Sequence, residues 1–306
     1  MNKYLTQKSN RFWTDFVNNL MANIFFLSAF VAVVSLLLIT AYVFYNGAKL
    51  FTVIAMPDFL FGFDWEPVNQ KLFGILPMIV SSFYVTFGSL LISIPLGIGC
   101  AIFLAEIASQ PVQRIVRPAV QLLAGIPSVV YGLFGLALVV PLIQQFADVA
   151  GLSILAAIII LSIMILPTII SISEDSIRAV PKEVKESSIA LGTTKWQTIF
   201  GAVLPASTSG IITAVVLALG RAFGEAMAVK MVIGNTQTMP SFSPESLFGL
   251  LSLARTLTTN IIGDIEYAEA GPHQDALFAT GAILFIFIIA TNAISYMFRR
   301  RIHEIR

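Results

Sequence analysis

Charge is scarce in this sequence. Of its 306 residues only 11% are charged and 57% are hydrophobic, where a soluble domain usually carries about 25% charged residues. A shortfall of that size excludes an ordinary water-facing surface. The charges nearly cancel, leaving +1 at neutral pH, so no global field points to nucleic acid or an acidic partner. Cysteine is nearly absent. Cys100 stands alone in an apolar run, which excludes an internal disulfide and reads as a small buried hydrophobe. Only two histidines are present, and His273 and His303 lie far apart, which argues against a histidine metal site. No G-x-x-x-x-G-K-[ST] occurs, and Gly192-Thr193-Thr194-Lys195 lacks the preceding strand and the second glycine of such a loop. Nucleophile motifs and carboxylates paired for acid–base work are missing as well. The sequence reads as a non-enzyme with no cofactor of its own. The first apolar run is too long for a signal-peptide h-region and has no small-residue cleavage site after it, so no cleavable signal is expected.

Long apolar runs are what the chain has in quantity. A membrane helix needs about 20 such residues, and the uncharged stretches are Leu20–Tyr45, Leu72–Ala105, Pro118–Ala147, Val149–Ser173, Trp196–Gly220 and Ala276–Phe298. The second would make a helix of about 51 Å at 1.5 Å per residue, too long for one upright span and too short for two. Pro95, Gly97 and Gly99 could kink it. Charge decides the count. With six spans and the N-terminus inside, the outer segments carry only Lys49, Lys71 and Arg255, while thirteen other lysines and arginines, among them Arg299, Arg300 and Arg301, fall inside. That asymmetry is the positive-inside pattern. Splitting the long stretch would put the triple arginine outside. The expected fold is an all-α polytopic membrane protein with six transmembrane helices and both termini cytoplasmic.

Residues 1–20 are then a cytoplasmic N-terminus, 21–46 the first span, 47–73 an extracytoplasmic loop, 74–298 a five-helix transmembrane domain and 299–306 a basic cytoplasmic tail. Acidic residues lean to the outer loops: Asp58, Asp64, Glu66, Asp148, Glu245, Asp264, Glu266, Glu269 and Asp275. Two readings are open for them, contact with a soluble partner and a merely solvated surface. Phe61-Gly62-Phe63-Asp64-Trp65-Glu66-Pro67 reads as an interfacial aromatic anchor.

One inner loop, 176–204, is longer than the rest. Pro181 suits a first helical turn and Glu183 sits where the helix dipole favours an anion. Gly192 can close that helix in the left-handed conformation. Thr194 with Gln197 makes a capping box for the next helix, and Pro205 opens the span that follows. Such an amphipathic loop fits either a groove on a cytoplasmic partner or the lipid surface. Glu186-Ser187-Ser188-Ile189-Ala190-Leu191-Gly192, followed by Leu204-Pro205, resembles the EAA motif of ABC importer permeases, with Ser187 and Ser188 where the motif has alanines. The resemblance implies a type I importer permease whose loop couples to a separate ATPase through Lys182, Glu186, Ser187, Ser188, Gly192 and Lys195. Leu123-Ala124-Gly125-Ile126-Pro127-Ser128-Val129-Val130-Tyr131-Gly132 and Ala218-Leu219-Gly220-Arg221-Ala222-Phe223-Gly224-Glu225-Ala226-Met227-Ala228-Val229 resemble segments of phosphate-specific permeases, the second nearer the PstC type than the PstA type. That resemblance implies four further things: a homologous PstA-type permease, two copies of an ATP-binding subunit, an extracytoplasmic phosphate-binding protein, and ATP hydrolysed outside this chain. Sulfate or molybdate is the alternative cargo; an ion-coupled secondary transporter is the alternative class.

Three ionisable residues fall in the fifth span: Arg221, Glu225 and Lys230. Charge at mid-membrane costs about 2.5–3.5 kcal/mol on insertion scales. Arg221 and Glu225, four apart, are expected to share a helix face and pair. The pair reads either as an oxyanion path, with a guanidinium fork suited to a tetrahedral anion, or as a structural link between helices. Lys230 is expected to snorkel to the outer interface. Gly220 and Gly224 read as a close-packing pattern, and Pro127 as a kink in the third span.

Overall fold

The structure, a computed structural model, describes residues 2–68, 70–147 and 149–304, with backbone alone at 2–14, 16, 295, 296 and 298–304. Asp148 and Arg306 therefore lie outside the described residues, as do the side chains of Lys3, Lys8, Arg11, Arg299, Arg300, Arg301 and His303. Among the described residues six helical segments are long and apolar enough to cross a membrane: Val17–Thr52, Leu76–Ile107, Ser128–Ala147, Ile154–Arg178, Lys195–Gly224 and Pro272–Ile294.

The first long helix, α1 (Asn2–Lys49), is followed by a short α2 (Met56–Phe61) and a two-stranded hairpin. In the hairpin, β1 (Trp65–Glu66) pairs antiparallel with β2 (Leu72–Phe73), Trp65 opposite Phe73. Then come α3 (Leu76–Ile102), α4 (Gln110–Gly125), α5 (Ser128–Phe134), α6 (Val140–Ala147) and α7 (Ile154–Arg178). The second half comprises α8 (Lys182–Ala190), α9 (Lys195–Thr198), α10 (Leu204–Gly224), α11 (Met227–Val232), α12 (Leu257–Asp264) and α13 (Pro272–Glu304).

Helix α7 is the axis of the bundle. Two-thirds (67%) of its most apolar window is buried, against none for α1. Lipid offers no hydrophobic drive between helices, so close packing and interhelical hydrogen bonds must hold α7 to α3. Both are present. Ser93 Oγ donates to the Ser162 carbonyl at 3.1 Å, and Ser162 Oγ returns a bond to the Ser89 carbonyl at 3.2 Å. At Gly97 a methyl group would stand 2.6 Å from Ile169 Cγ2, so the absence of a side chain sets the helix separation. Residues 17–33 of α1 are all exposed. Its last turns dock, where Tyr42 meets Phe278 edge-on at 5.5 Å and Phe44 meets Phe285 at 6.0 Å.

Three π-helical turns interrupt the spans, at Phe103–Ile107, Gly135–Val139 and Ile199–Val203. Two of them immediately precede an in-helix proline, Pro141 and Pro205. A proline ring clashes with the carbonyl four residues back and lacks an N–H; widening the preceding turn removes both difficulties without breaking the helix. Pro205 consequently lies inside a helix that begins at Lys195 rather than opening the span.

Three further expectations need correction. The stretch Pro118–Ala147 is not one span. The chain breaks at Ile126–Pro127, where both residues are extended, so Pro118 belongs to the separate α4. Trp65 is not an interfacial anchor: it is 3% exposed, in a core with Phe59, Phe73 and Met78. Its Nε1 donates to Asp264 Oδ2 at 2.8 Å, and Asp264 Oδ1 takes a 2.6 Å bond from the buried Arg255. Lys230 does not snorkel away from the protein, since its Nζ points to the Ile262 carbonyl of α12 at 3.4 Å.

Candidate functional site

Two regions gather the residues singled out by the sequence. The first is the loop around α8. Pro181 caps α8, Glu183 lies in its first turn, and none of its residues is buried. Gly192 has φ +84°, the left-handed turn that glycine takes without strain, and the Thr194–Gln197 capping box is formed in both directions. Ser188 accounts for its departure from alanine. Its hydroxyl, that of Thr193 at 2.9 Å and that of Thr198 at 3.2 Å form a cluster that folds α8 back onto α9. Lys182, Glu186, Ser187 and Lys195 are exposed, as are Ile189, Leu191 and Trp196, so the loop presents charge and apolar surface together.

This exposed loop is tied firmly at its base. Lys185 pairs with Glu106, next to the last turn of the α3 segment. Beside it Glu174, 4% exposed at the end of α7, accepts from Arg117 Nε of α4 at 2.6 Å and from Arg178 Nε at 3.0 Å. Arg178 Nη2 in turn reaches the Leu104 carbonyl at 3.0 Å and Gln113 Oε1 at 2.9 Å. Helices α4 and α7 thus meet at the Glu174 carboxylate, Arg178 ties in the end of the α3 segment, and Glu106 ties in α8. Sequence reasoning missed Glu174, although its place one residue beyond an apolar run was a usable signal.

The second region is a pair of helix breaks. Helix α10 stops at Gly224, and Glu225 is extended at φ −74°, ψ 126°. Arg221 and Glu225 therefore do not share a face, and the expected ion pair does not form. Arg221 Nη1 donates instead to Thr168 Oγ1 of α7 at 3.2 Å. Glu225 Oε1 accepts from the Ala228 N–H at 3.0 Å, capping α11. Unwinding a helix frees backbone groups that must be satisfied inside the protein. Thr258 Oγ1 does this for the Glu225 carbonyl at 2.9 Å. At the other break, Tyr131 Oη donates to the Leu123 carbonyl at 2.7 Å. The breaks are neighbours. The half-helices beyond them, α5 and α11, pack where Gly132 lets the Ala228 backbone approach; a methyl group on Gly132 would sit 3.2 Å from Ala228 Cα. Both stretches singled out in the sequence, 123–132 and 218–229, lie across these breaks. Gly220 and Gly224 have no neighbour within 4 Å of where a side chain would start, so neither packs a helix within this chain. Thr168 and Thr258 were not foreseen, because each acts only through a contact distant in sequence, whereas Tyr131 and its partner Leu123 both lie within the stretch already singled out.

Among the described residues no group of three His, Cys, Asp or Glu side chains could hold a metal ion. A six-span bundle with facing half-helices and an exposed amphipathic loop defines a membrane transport subunit. The chain belongs to the family described as binding-protein-dependent transport system inner membrane component, which matches residues 93–304. It is 42% identical to the probable ABC transporter permease protein YqgH of Bacillus subtilis, over 87% of each chain. It is 37% identical to the phosphate transport system permease protein PstC of Mesorhizobium japonicum, over 79% of this chain and 78% of that one, and 35% identical to PstC of Pasteurella multocida over 81% of each. Among solved structures, the inward-facing MetNI methionine ABC transporter shares the fold with TM-score 0.54 at 18% identity, covering 75% of this chain and 94% of that one. The fold is that of type I ABC importer permeases, and the protein is a multi-pass membrane component.

Proposed function

We propose that this chain carries inorganic phosphate across the cytoplasmic membrane as one permease of an ATP-driven importer, with Arg221 as the cation that meets the anion. The observation that carries the reading is Arg221 at the mouth of a broken span, with one hydrogen bond to a neutral hydroxyl and no ion pair among the described residues. A guanidinium has five donors in a fixed fork. With one on Thr168, the remaining donors suit a tetrahedral oxyanion. The identity to PstC proteins names the anion. Glu225 serves the same path through its acceptor oxygen, which holds α11 in place beside Arg221's end of α10.

In this reading the α8 end of the bundle is cytoplasmic. Lys182, Glu186, Ser187, Ser188, Gly192 and Lys195 form the surface that a separate ATPase subunit grips. Membership of a binding-protein-dependent family supports delivery by an extracytoplasmic phosphate-binding protein on the opposite face. The full assembly adds a PstA-type permease and two ATPase copies, which hydrolyse the ATP; the sequence of this chain carries no G-x-x-x-x-G-K-[ST] loop. ATP closure pulls α8, and the Glu106–Lys185 and Glu174 ties carry that motion into α3, α4 and α7.

The test is radiolabelled phosphate uptake in cells lacking the chain. Wild type should restore uptake, and Arg221→Gln should not, at equal membrane levels. Restored sulfate or molybdate uptake without phosphate uptake would keep the architecture and overturn the cargo.

A further inference from the structure

Helix α4 carries a feature that transport coupling leaves unused. At about 100° per residue, Val116 and Val120 face inward, packed with Leu104 and Ile170. The rest of the helix surface divides in two. Ile115 and Leu122, two turns apart, lie on one stripe and are each 73% exposed. Gln110, Arg114, Arg117 and Gln121 lie on the other side of the inward face and, with Gln113 and Pro118, line an open cleft of about 610 Å³. Arg114 is exposed and has no hydrogen bond or ion pair among the described residues; Arg117 bonds Glu174 through Nε only. An exposed apolar stripe alongside a basic, amide-lined cleft is the pattern of a helix lying in a membrane interface.

We propose that this cleft binds the phosphodiester headgroup of an anionic phospholipid, whose acyl chains lie along Ile115 and Leu122. Charge complementarity sets the class: Arg114 and Arg117 supply guanidinium donors for the phosphate oxygens, and the exposed amides of Gln110 and Gln121 suit headgroup hydroxyls. The proposed ATPase surface is a different one: it lies on α8, none of whose residues is buried, while α4 is tied to the end of α7 through Arg117 and Glu174. The lipid would brace the segment that anchors Glu174, making the coupling base sensitive to membrane composition. The proposal rests on the reading that places the α8 end at the cytoplasmic face.

The experiment titrates the full transporter, purified in neutral detergent, with short-chain phosphatidylglycerol and, separately, with short-chain phosphatidylcholine. Anionic lipid should bind preferentially, Arg114→Gln should weaken it about fivefold, the contribution of one juxtamembrane basic residue, and Leu122→Gln should weaken it as well. Inorganic phosphate in excess should not displace it. Unchanged binding in Arg114→Gln, displacement by inorganic phosphate, or loss of ATPase association instead of lipid binding would each overturn the proposal. The topology is checked apart from it: Leu191→Cys in a Cys100→Ser background, labelled from outside intact cells, would overturn the cytoplasmic placement alone.

Discussion

Removing the carboxylate at the base of the coupling loop is the most informative perturbation. Glu174 Oε1 accepts two arginine bonds, at 2.6 and 3.0 Å, with its own side chain 5% exposed and those of Arg117 and Arg178 38% and 33% exposed. A hydrogen bond to a charged group contributes about 1.5–3 kcal/mol. Both guanidinium groups keep partial contact with solvent, which screens them, so the lower value suits each bond. Glu174→Ala should therefore cost about 3 kcal/mol, at the low end of what breaking a buried ion pair costs. Glu174→Gln keeps an acceptor and loses only the charge, so it should cost roughly half as much. At about 2.1 cal/mol/K of unfolding entropy per residue, a chain of 306 residues shifts by about 1.5 °C per kcal/mol, so alanine should lower the melting temperature by about 5 °C. The assay is thermal unfolding of the purified transporter in detergent, followed by fluorescence of the three tryptophans. A shift under about 1 °C for the alanine variant would refute the reasoning, because it would mean the two arginines find equal partners in water.

Two further perturbations test the frame. Lys185→Glu should uncouple ATP hydrolysis from uptake by placing two carboxylates together, and the double exchange with Glu106→Lys should recover coupling; a double variant no better than the single one would sink the tie as a transmission element. Gly97→Val should overpack α3 against Ile169 and lose about 1–3 kcal/mol, read as a reduced membrane level, whereas Gly99→Val, with open space around it, should express as wild type.

Much of the architecture was legible because lipid imposes a simple constraint on composition. Six apolar runs gave six spans, and Thr194 with Gln197 announced a helix start that formed as read. Boundaries within the third and fifth spans were not legible, because hydropathy reports solubility in lipid and says nothing of continuity. The run from Pro118 stays apolar straight through the break at Ile126–Pro127. The spacing of Arg221 and Glu225 predicts a shared face only on an unbroken helix, and α10 ends between them. Trp65 shows a similar limit. An aromatic beside a span suits the interface, and nothing local says that Asp264, 199 positions away, will bond its indole. The Ser188 cluster is the intermediate case, since its partners lie only five and ten residues along the chain.

The break after Gly224 also separates two accounts of Glu225 that an intact helix would have merged. If its role is to weaken the field around Arg221, the negative charge is what matters. If its role is to hold α11 against α5, the acceptor oxygen on the Ala228 N–H is what matters. No direct contact joins Arg221 and Glu225, and the capping bond is formed at 3.0 Å, so capping should dominate. Glu225→Gln keeps an oxygen at the same place and should retain most phosphate uptake. Glu225→Ala loses the cap, worth about 1 kcal/mol, and leaves the Ala228 N–H without its acceptor inside the membrane, where an unsatisfied group costs several kcal/mol. That variant should lose uptake even where Arg221 is intact. Equal loss in both variants would assign Glu225 to charge balance after all, and would make the carboxylate, rather than the half-helix it holds, the partner that lets phosphate go.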